Sequence, residues 1–162
     1  MNTGSLTHIR HLEKSDVKLV VDLIHRLHAE SNFSEVLFDK AHCAVNVEQW
    51  INHDAYYVQG AFDSNKNIFA VYAGYITQYY FSKDLVAHDF LMYVEPERRG
   101  GYTIVRLVKN FESWAKSMGA KEIRPGTSTG IKSEMSKKLY EALGYKFTGH
   151  NFMKRSRYVW RN

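Results

Sequence analysis

The chain has 162 residues, 44% hydrophobic, 24% charged and 14% aromatic, with a formal net charge of +5. Such a chain fits one soluble globular domain spanning 1–162, and the positive charge suits an anionic ligand, a nucleic acid or an acidic protein surface. A single cysteine, Cys43, excludes an internal disulfide and a cysteine zinc cluster, and no apolar run approaches the ~20 residues of a membrane span.

The N-terminal MNTGSLTHIRHLEKSD lacks the apolar core of a secretory signal, so a cytoplasmic protein is expected. Leu6 to Leu12 reads as a short strand. Ser15-Asp16 offers a helix cap before a helix from Lys18 to Ala29. Val17, Val20, Val21, Ile24, Leu27 and His28 form its apolar stripe. The polar run SNFSEVLFD reads as a loop, and a second helix is predicted from Lys40 to Asn52.

The period then changes. Ala55 to Phe62, Ile68 to Tyr80 and His88 to Val94 read as strands, separated by turns at Asp63–Asn67 and Ser82–Asp84. The clearest helix runs from Gly101 to Met118, with Ile104, Leu107, Val108, Phe111, Trp114, Ala115 and Met118 on one face and Gly119 ending it. Lys121 to Arg124 reads as a short strand, Ser133 to Leu143 as a helix, Lys146 to Lys154 as a last strand, and Arg155 to Asn162 as a basic, aromatic tail. No repeat or linker interrupts the order. It describes a mixed α/β fold with an antiparallel middle and helical crossovers late in the chain.

The stretch VEPERRGGYTIVRLVKNFESWA, from Val94 to Ala115, enters a helix from a strand through glycines. Such a helix start presents unpaired N–H groups and a dipole that favour an anion. Gly100 and Gly101 permit close backbone approach, and Arg98 and Arg99 add forked donors suited to phosphate. A plain turn flanked by solvated arginines is the competing reading.

Together with LYEALGY, Leu139 to Tyr145, this stretch resembles the GNAT superfamily of acyl-CoA-dependent N-acetyltransferases. Val94 to Gly101 looks like its pyrophosphate-binding motif, and the order of elements is similar over nearly the whole chain. The detailed pattern is most similar to members carried by phages and prophages. The usual loop, Arg/Gln-x-x-Gly-x-Gly/Ala, is altered. Counted from Arg99, Tyr102 and Ile104 replace small residues; counted from Arg98, Gly101 fits and Thr103 replaces the last one.

The resemblance implies a mostly antiparallel central sheet flanked by helices, and acetyl transfer from acetyl-CoA to a primary amine without a metal. It implies that Arg98, Arg99, Gly100, Gly101, Tyr102 and Thr103 hold the pyrophosphate. The backbone of Met92, Tyr93 and Val94 would serve the pantetheine arm and the oxyanion, and Ser133 stands where an Asn often holds that arm. Tyr140, the tyrosine of the LYE motif, would protonate the departing thiolate; by itself it reads as a core or half-buried tyrosine with a satisfied hydroxyl. A base is less defined. His88 falls where some members carry a carboxylate and titrates near neutrality; Glu95 is another candidate, and many members use none. Phe33, Glu35, Phe38, Tyr79, Tyr80, His150 and Phe152 are candidate acceptor-site residues, with Glu30 and Glu35 able to attract a cationic amine. Small amine, peptide terminus, lysine and nucleic acid remain open as acceptor, and a homodimer is common in the family.

Other constellations are weaker. His8 with His11 and His25 with His28 have helix-like spacing but lack acidic or cysteine partners for a metal. Cys43 reads as buried and inert. The tail KRSRYVWRN keeps two alternatives alive: a nucleic-acid-binding or nucleic-acid-modifying protein, and an edge strand ending the sheet. A CoA-binding protein without turnover is a third reading, motivated by Tyr102 and Ile104.

Overall fold

The computed structural model describes residues 7–155. They fall into two compact units, one ending at Gly126 and the other beginning at Thr127.

The first unit contains β1 (His8–His11), α1 (Val17–Glu30), α2 (Lys40–Asn52), β2 (Tyr56–Phe62), β3 (Ile68–Gln78), β4 (Leu85–Val94), α3 (Thr103–Ser117) and β5 (Ala120–Arg124). The five strands lie side by side in chain order. β1 to β4 pair antiparallel, and β5 runs parallel to β4. A parallel neighbour needs a crossover, and α3 supplies it. The fold is mixed α/β with a mostly antiparallel sheet flanked by helices.

β3 is buried without interruption from Ile68 to Gly74. A strand covered on both faces reads as a continuous apolar run, and IFAVYAG is one. On one face α3 buries Leu107, Val108, Phe111 and Ala115. The Phe111 ring lies 5.5 Å from Tyr57 and 5.2 Å from Tyr72. Gly74 permits this approach: a Cβ there would stand 2.5 Å from both the His88 carbonyl oxygen and Phe111 Cε2. Tyr56, one residue from Tyr57, points to the opposite face, where Phe90 lies between it and Trp50 of α2. α1 contributes Val20, Val21, Leu23 and Leu27 to the core, and α2 contributes Val47.

Several expectations are corrected. Asp16 does not cap α1 through its side chain. It is buried and takes both terminal nitrogens of Arg10, at 2.6 and 2.9 Å, and the Glu13 N–H at 2.8 Å. A short 3₁₀ turn, Lys14–Asp16, precedes the helix instead. The buried stripe of α1 includes Leu23, while Val17, Ile24 and His28 are half-buried. β4 starts at Leu85, because Leu85 to Ala87 have partners on both sides in β3 and β5.

The second unit holds α4 (Ser133–Ala142). It ends in a Schellman motif: the Tyr145 N–H bonds the Tyr140 carbonyl, the Gly144 N–H bonds the Glu141 carbonyl, and Gly144 takes φ +91°. Residues 146–154, expected to form a strand, have no regular structure. A strand needs a ladder, none pairs with this segment among the described residues, and Gly149 interrupts its alternation. The segment folds locally, with His150 edge-on to Phe147 and the Asn151 amide donating to the Thr127 carbonyl at 3.0 Å. Most of the basic tail lies outside the described residues.

Candidate active site

β4 carries the geometry that matters. Gly74 pairs with Asp89, but the next residue back on β3, Ala73, pairs with Leu91. Phe90 is therefore an extra residue, a β-bulge. The Asp89 carboxylate is fastened beside it, accepting the Tyr72 hydroxyl at 3.2 Å and the Gly126 N–H at 2.7 Å. β5 pairs with β4 only as far as His88–Arg124, then turns away at Pro125-Gly126. Beyond the bulge, no strand among the described residues lies on that edge of β4.

Register tells which peptides face the edge. The Glu95 N–H bonds the Phe69 carbonyl, so Glu95–Phe69 is a hydrogen-bonded pair. Pairs alternate in an antiparallel ladder, so Tyr93 exchanges bonds with Val71, while Met92 and Val94 turn their peptides outward. The Val94 carbonyl confirms this direction by accepting Arg99 Nε at 2.9 Å. Of the three backbone positions expected at the site, Met92 and Val94 face the edge and Tyr93 faces β3. The Tyr93 hydroxyl instead donates to Glu30 at 3.1 Å. Burial, reinforced by the Glu30 carboxylate, pushes that hydroxyl up to about 12.

The turn after β4 begins with a 3₁₀ segment, Pro96–Arg98. Gly100 has φ +81°, a conformation that costs an L side chain about 1–2 kcal/mol. A Cβ on Gly100 would meet nothing within 4 Å, so backbone conformation rather than space selects glycine. Tyr102 occupies the N-cap position of α3 without a side-chain cap, so its first-turn N–H groups meet no capping oxygen from it. Gly100, Gly101 and Tyr102 are exposed, and Thr103 opens the helix.

Both arginines of the turn are engaged by carboxylates. Arg99 grips Glu30 through both terminal nitrogens. Arg98 lies over the Phe69 ring at 4.9 Å and stands 3.6 Å from Asp63. Glu95 pairs with Arg26 at 2.9 Å. The positive charge expected at the turn is thus partly balanced, and Glu30 is drawn to Arg99.

His88 is half-buried on the α2 side of the sheet. It stacks on Tyr75 with ring centroids 5.4 Å apart. Burial holds the imidazole below its usual value; a hydrogen bond to the Arg124 backbone opposes the shift and the Arg124 charge reinforces it. The ring is therefore neutral at pH 7 and has one basic nitrogen.

Near His88, Trp50, Tyr56, Tyr75 and Phe90 line an open cavity of about 250 Å³. Sequence reading missed these four, because α2, two strands and the bulge bring them together. It pointed to Tyr79 and Tyr80, which lie just past β3. Tyr80 is 99% exposed, and Tyr79 bonds Glu122. Phe38 stacks on His25, and the His28 ring meets the Val36 carbonyl at 2.7 Å, so that histidine pair anchors the α1–α2 loop. Phe33 and Glu35 lie exposed in the same loop. Burial pushes the half-buried Cys43 thiol up, away from the thiolate. Among the described residues, no three His, Cys, Asp or Glu side chains gather as a metal site. None of their helices is long and apolar enough to cross a membrane.

In the second unit, Tyr140 is buried near the end of α4, edge-on to Tyr145 at 5.4 Å. Ser133 is the exposed first residue of that helix, after Lys132 in a left-handed conformation at φ +46°. His150 and Phe152 are exposed in the irregular segment that follows.

No protein-family model and no curated relative matches the chain. Solved structures do. The aminoglycoside N-acetyltransferase AAC(6')-Iy in complex with CoA is 19% identical, with a TM-score of 0.77 over 97% of this chain and 99% of that one. The aminoglycoside 6'-N-acetyltransferase AAC(6')-Ih from Acinetobacter baumannii is 19% identical, with a TM-score of 0.73 over 93% and 97%. Glucosamine-6-phosphate N-acetyltransferase from Arabidopsis thaliana is 18% identical, with a TM-score of 0.73 over 93% and 98%. The fold of this chain is the GNAT acetyltransferase fold.

Proposed function

We propose that the protein is an N-acetyltransferase that moves an acetyl group from acetyl-CoA to a primary amine. The observation that carries this reading is the edge of β4. It leaves a bulge, presents the Met92 and Val94 peptides where β5 has turned away, and runs into a glycine turn at the uncapped start of α3. That sequence of features suits an extended thioester arm ending in a pyrophosphate. The fold likeness to acetyltransferases, one of them in complex with CoA, supports the same reading.

In this reading the turn from Arg98 to Thr103 takes the pyrophosphate mainly through backbone N–H groups and the α3 dipole, since carboxylates engage both arginines. Gly100 and Gly101 keep that approach clear. The outward peptides of Met92 and Val94 hold the pantetheine arm, and an outward N–H polarises the thioester carbonyl. Ser133 offers the arm a hydroxyl. The neutral amine attacks the thioester carbon, forming the C–N bond, and the C–S bond breaks. The amine's surplus proton passes to His88, directly or through water, and Tyr140 gives a proton to the departing thiolate. The products are an acetamide and CoA.

Calorimetric titration with acetyl-CoA and with CoA tests the reading. Saturable binding near one per chain is expected, lost or weakened when Gly100 is replaced by Val. No binding of either at high concentration overturns it.

A further inference from the structure

From the cavity beside His88 we infer the class of acceptor: a primary amine carried on an aromatic ring by a short alkyl arm. The inference rests on the N-acetyltransferase reading and deepens it.

The walls argue for a ring. Trp50 and Phe90 meet edge to face at 4.7 Å, Tyr56 and Phe90 edge to face at 6.2 Å, and Tyr75 lies 6.1 Å from Phe90. Trp50, Tyr56 and Tyr75 are half-buried, and Phe90 is 40% exposed. These rings already pack in the offset and T-shaped arrangements that aromatic pairs prefer, and their remaining exposed surface offers an incoming ring the same contacts. The volume of about 250 Å³ sits below the ~300–1,000 Å³ of clefts for drug-sized ligands. One ring with its arm matches that scale.

Charge argues against a polycation. No lining residue carries a carboxylate. Glu30, the acid expected to draw a cationic amine, accepts Arg99 and Tyr93. The row Tyr56–Tyr75–His88 across three strands ends opposite Arg124, and the chain carries a net charge of +5. An aromatic cage without acids could hold an ammonium by cation–π attraction. The attacking nitrogen, however, must be neutral, and a ring seated in the cage leaves that nitrogen outside it.

Position completes the case. His88 stacks on Tyr75, one wall of the cavity, so a proton acceptor adjoins the ring site. Phe90, another wall, is two residues from Met92, about 7 Å along the strand. A two-carbon arm points from the cavity toward that edge, where the thioester is proposed to lie.

The test uses phenethylamine against spermidine and lysine, with release of free CoA thiol as the readout and calorimetry of each amine alone. Phenethylamine is expected to bind and to show a KM lower than spermidine by about ten-fold or more. Phe90→Leu is expected to raise the phenethylamine KM by about ten-fold, with the acetyl-CoA KM unchanged and Phe90→Tyr restoring it. The exposed Phe90 ring makes both variants tolerable, and their melting temperatures are checked in parallel. Tighter binding of spermidine or lysine, or a phenethylamine KM indifferent to Phe90→Leu, overturns the inference. Acetyl-CoA binding and acetylation of other amines without phenethylamine binding sinks the acceptor class and leaves the acetyltransferase reading standing. Failure of acetyl-CoA to bind sinks the reading itself, and calorimetry with phenethylamine still reports on the cavity.

Discussion

Arg99 closes a two-pronged ion pair on Glu30, at 2.5 and 2.6 Å, across 69 residues of chain. Its third donor, Nε, holds the Val94 carbonyl at 2.9 Å. One side chain in the turn before α3 therefore ties the end of α1 to the end of β4. The Arg99 side chain is 17% exposed and the Glu30 side chain 31%, so water screens the pair only partly. Arg99→Ala and Glu30→Ala are each expected to cost about 1–2 kcal/mol, and the double variant little more than either. Chemical denaturation of all three, arranged as a cycle, checks this. Fully additive losses would show that the two residues act separately.

Gly74 is the point where α3 comes closest to the sheet. A methyl there would press on a backbone carbonyl and on the Phe111 ring, both at 2.5 Å. The carbonyl cannot rotate away, because His88 is held in the ladder between β3 and β5. Gly74→Ala is expected to lose about 3 kcal/mol, the upper part of the range for overpacked cores. A variant as stable as the parent would mean that α3 can shift outward without cost.

Tyr57 lies 2% exposed between Phe111 and Trp114, and its hydroxyl has no hydrogen-bond partner among the described residues. Burial raises its ionisation far beyond the ordinary tyrosine range. A buried hydroxyl left unpaired costs about 1–3 kcal/mol. Tyr57→Phe keeps the ring and removes that cost, so it is expected to raise the melting temperature. A lower melting temperature would reveal a partner for the hydroxyl.

Tyr140 sits one turn from the Schellman close of α4. Tyr140→Phe keeps the buried ring and removes the hydroxyl proposed as proton donor. Turnover is expected to fall about 10²-fold or more, with CoA affinity nearly unchanged. Full activity in that variant ends the assignment.

How much of this was legible in the sequence depended on how local each feature is. α2 matches its expected bounds from Lys40 to Asn52 because its start signal is local: the Asp39 carboxylate accepts the His42 N–H at 2.9 Å. The Gly100-Gly101 turn was equally visible, since backbone conformation there selects glycine. The partner of Arg99 was hidden because Glu30 lies so far back in the chain, and without it both arginines read as ligands in waiting. The bulge was hidden because HDFLMYV carries no glycine or proline to mark an extra residue. With it went the cavity, since Phe90 meets Trp50, Tyr56 and Tyr75 only through the resulting register. KFTGHNFMK had the composition of a strand and still formed none, because pairing is decided by a neighbour and not by the segment.

His88 makes the pH dependence specific. The groups around it are Tyr75 on β3, whose ring it stacks on, and Arg124 on β5, whose backbone it bonds. Burial lowers its pKa from the ordinary histidine value of 6.5, so in the folded protein the proton arrives at a lower pH than in the unfolded chain. The unfolded state then binds more protons between the two values. Stability from this group is complete above 6.5 and declines as pH falls through the folded pKa. In the proposed mechanism catalysis follows the same neutral form. A limb from His88 is therefore expected below pH 6.5, where the imidazole no longer accepts the amine proton, and above it kcat/KM for an alkylamine still rises as the amine itself loses its proton. His88→Gln keeps a polar side chain of similar reach and cannot titrate. It should lower kcat by about 10²-fold, remove the acidic limb, and flatten the fall in stability over the same window. Loss of the limb together with the rate marks a base. Loss of rate with the limb intact would place the titrating group elsewhere and leave His88 only to position Tyr75.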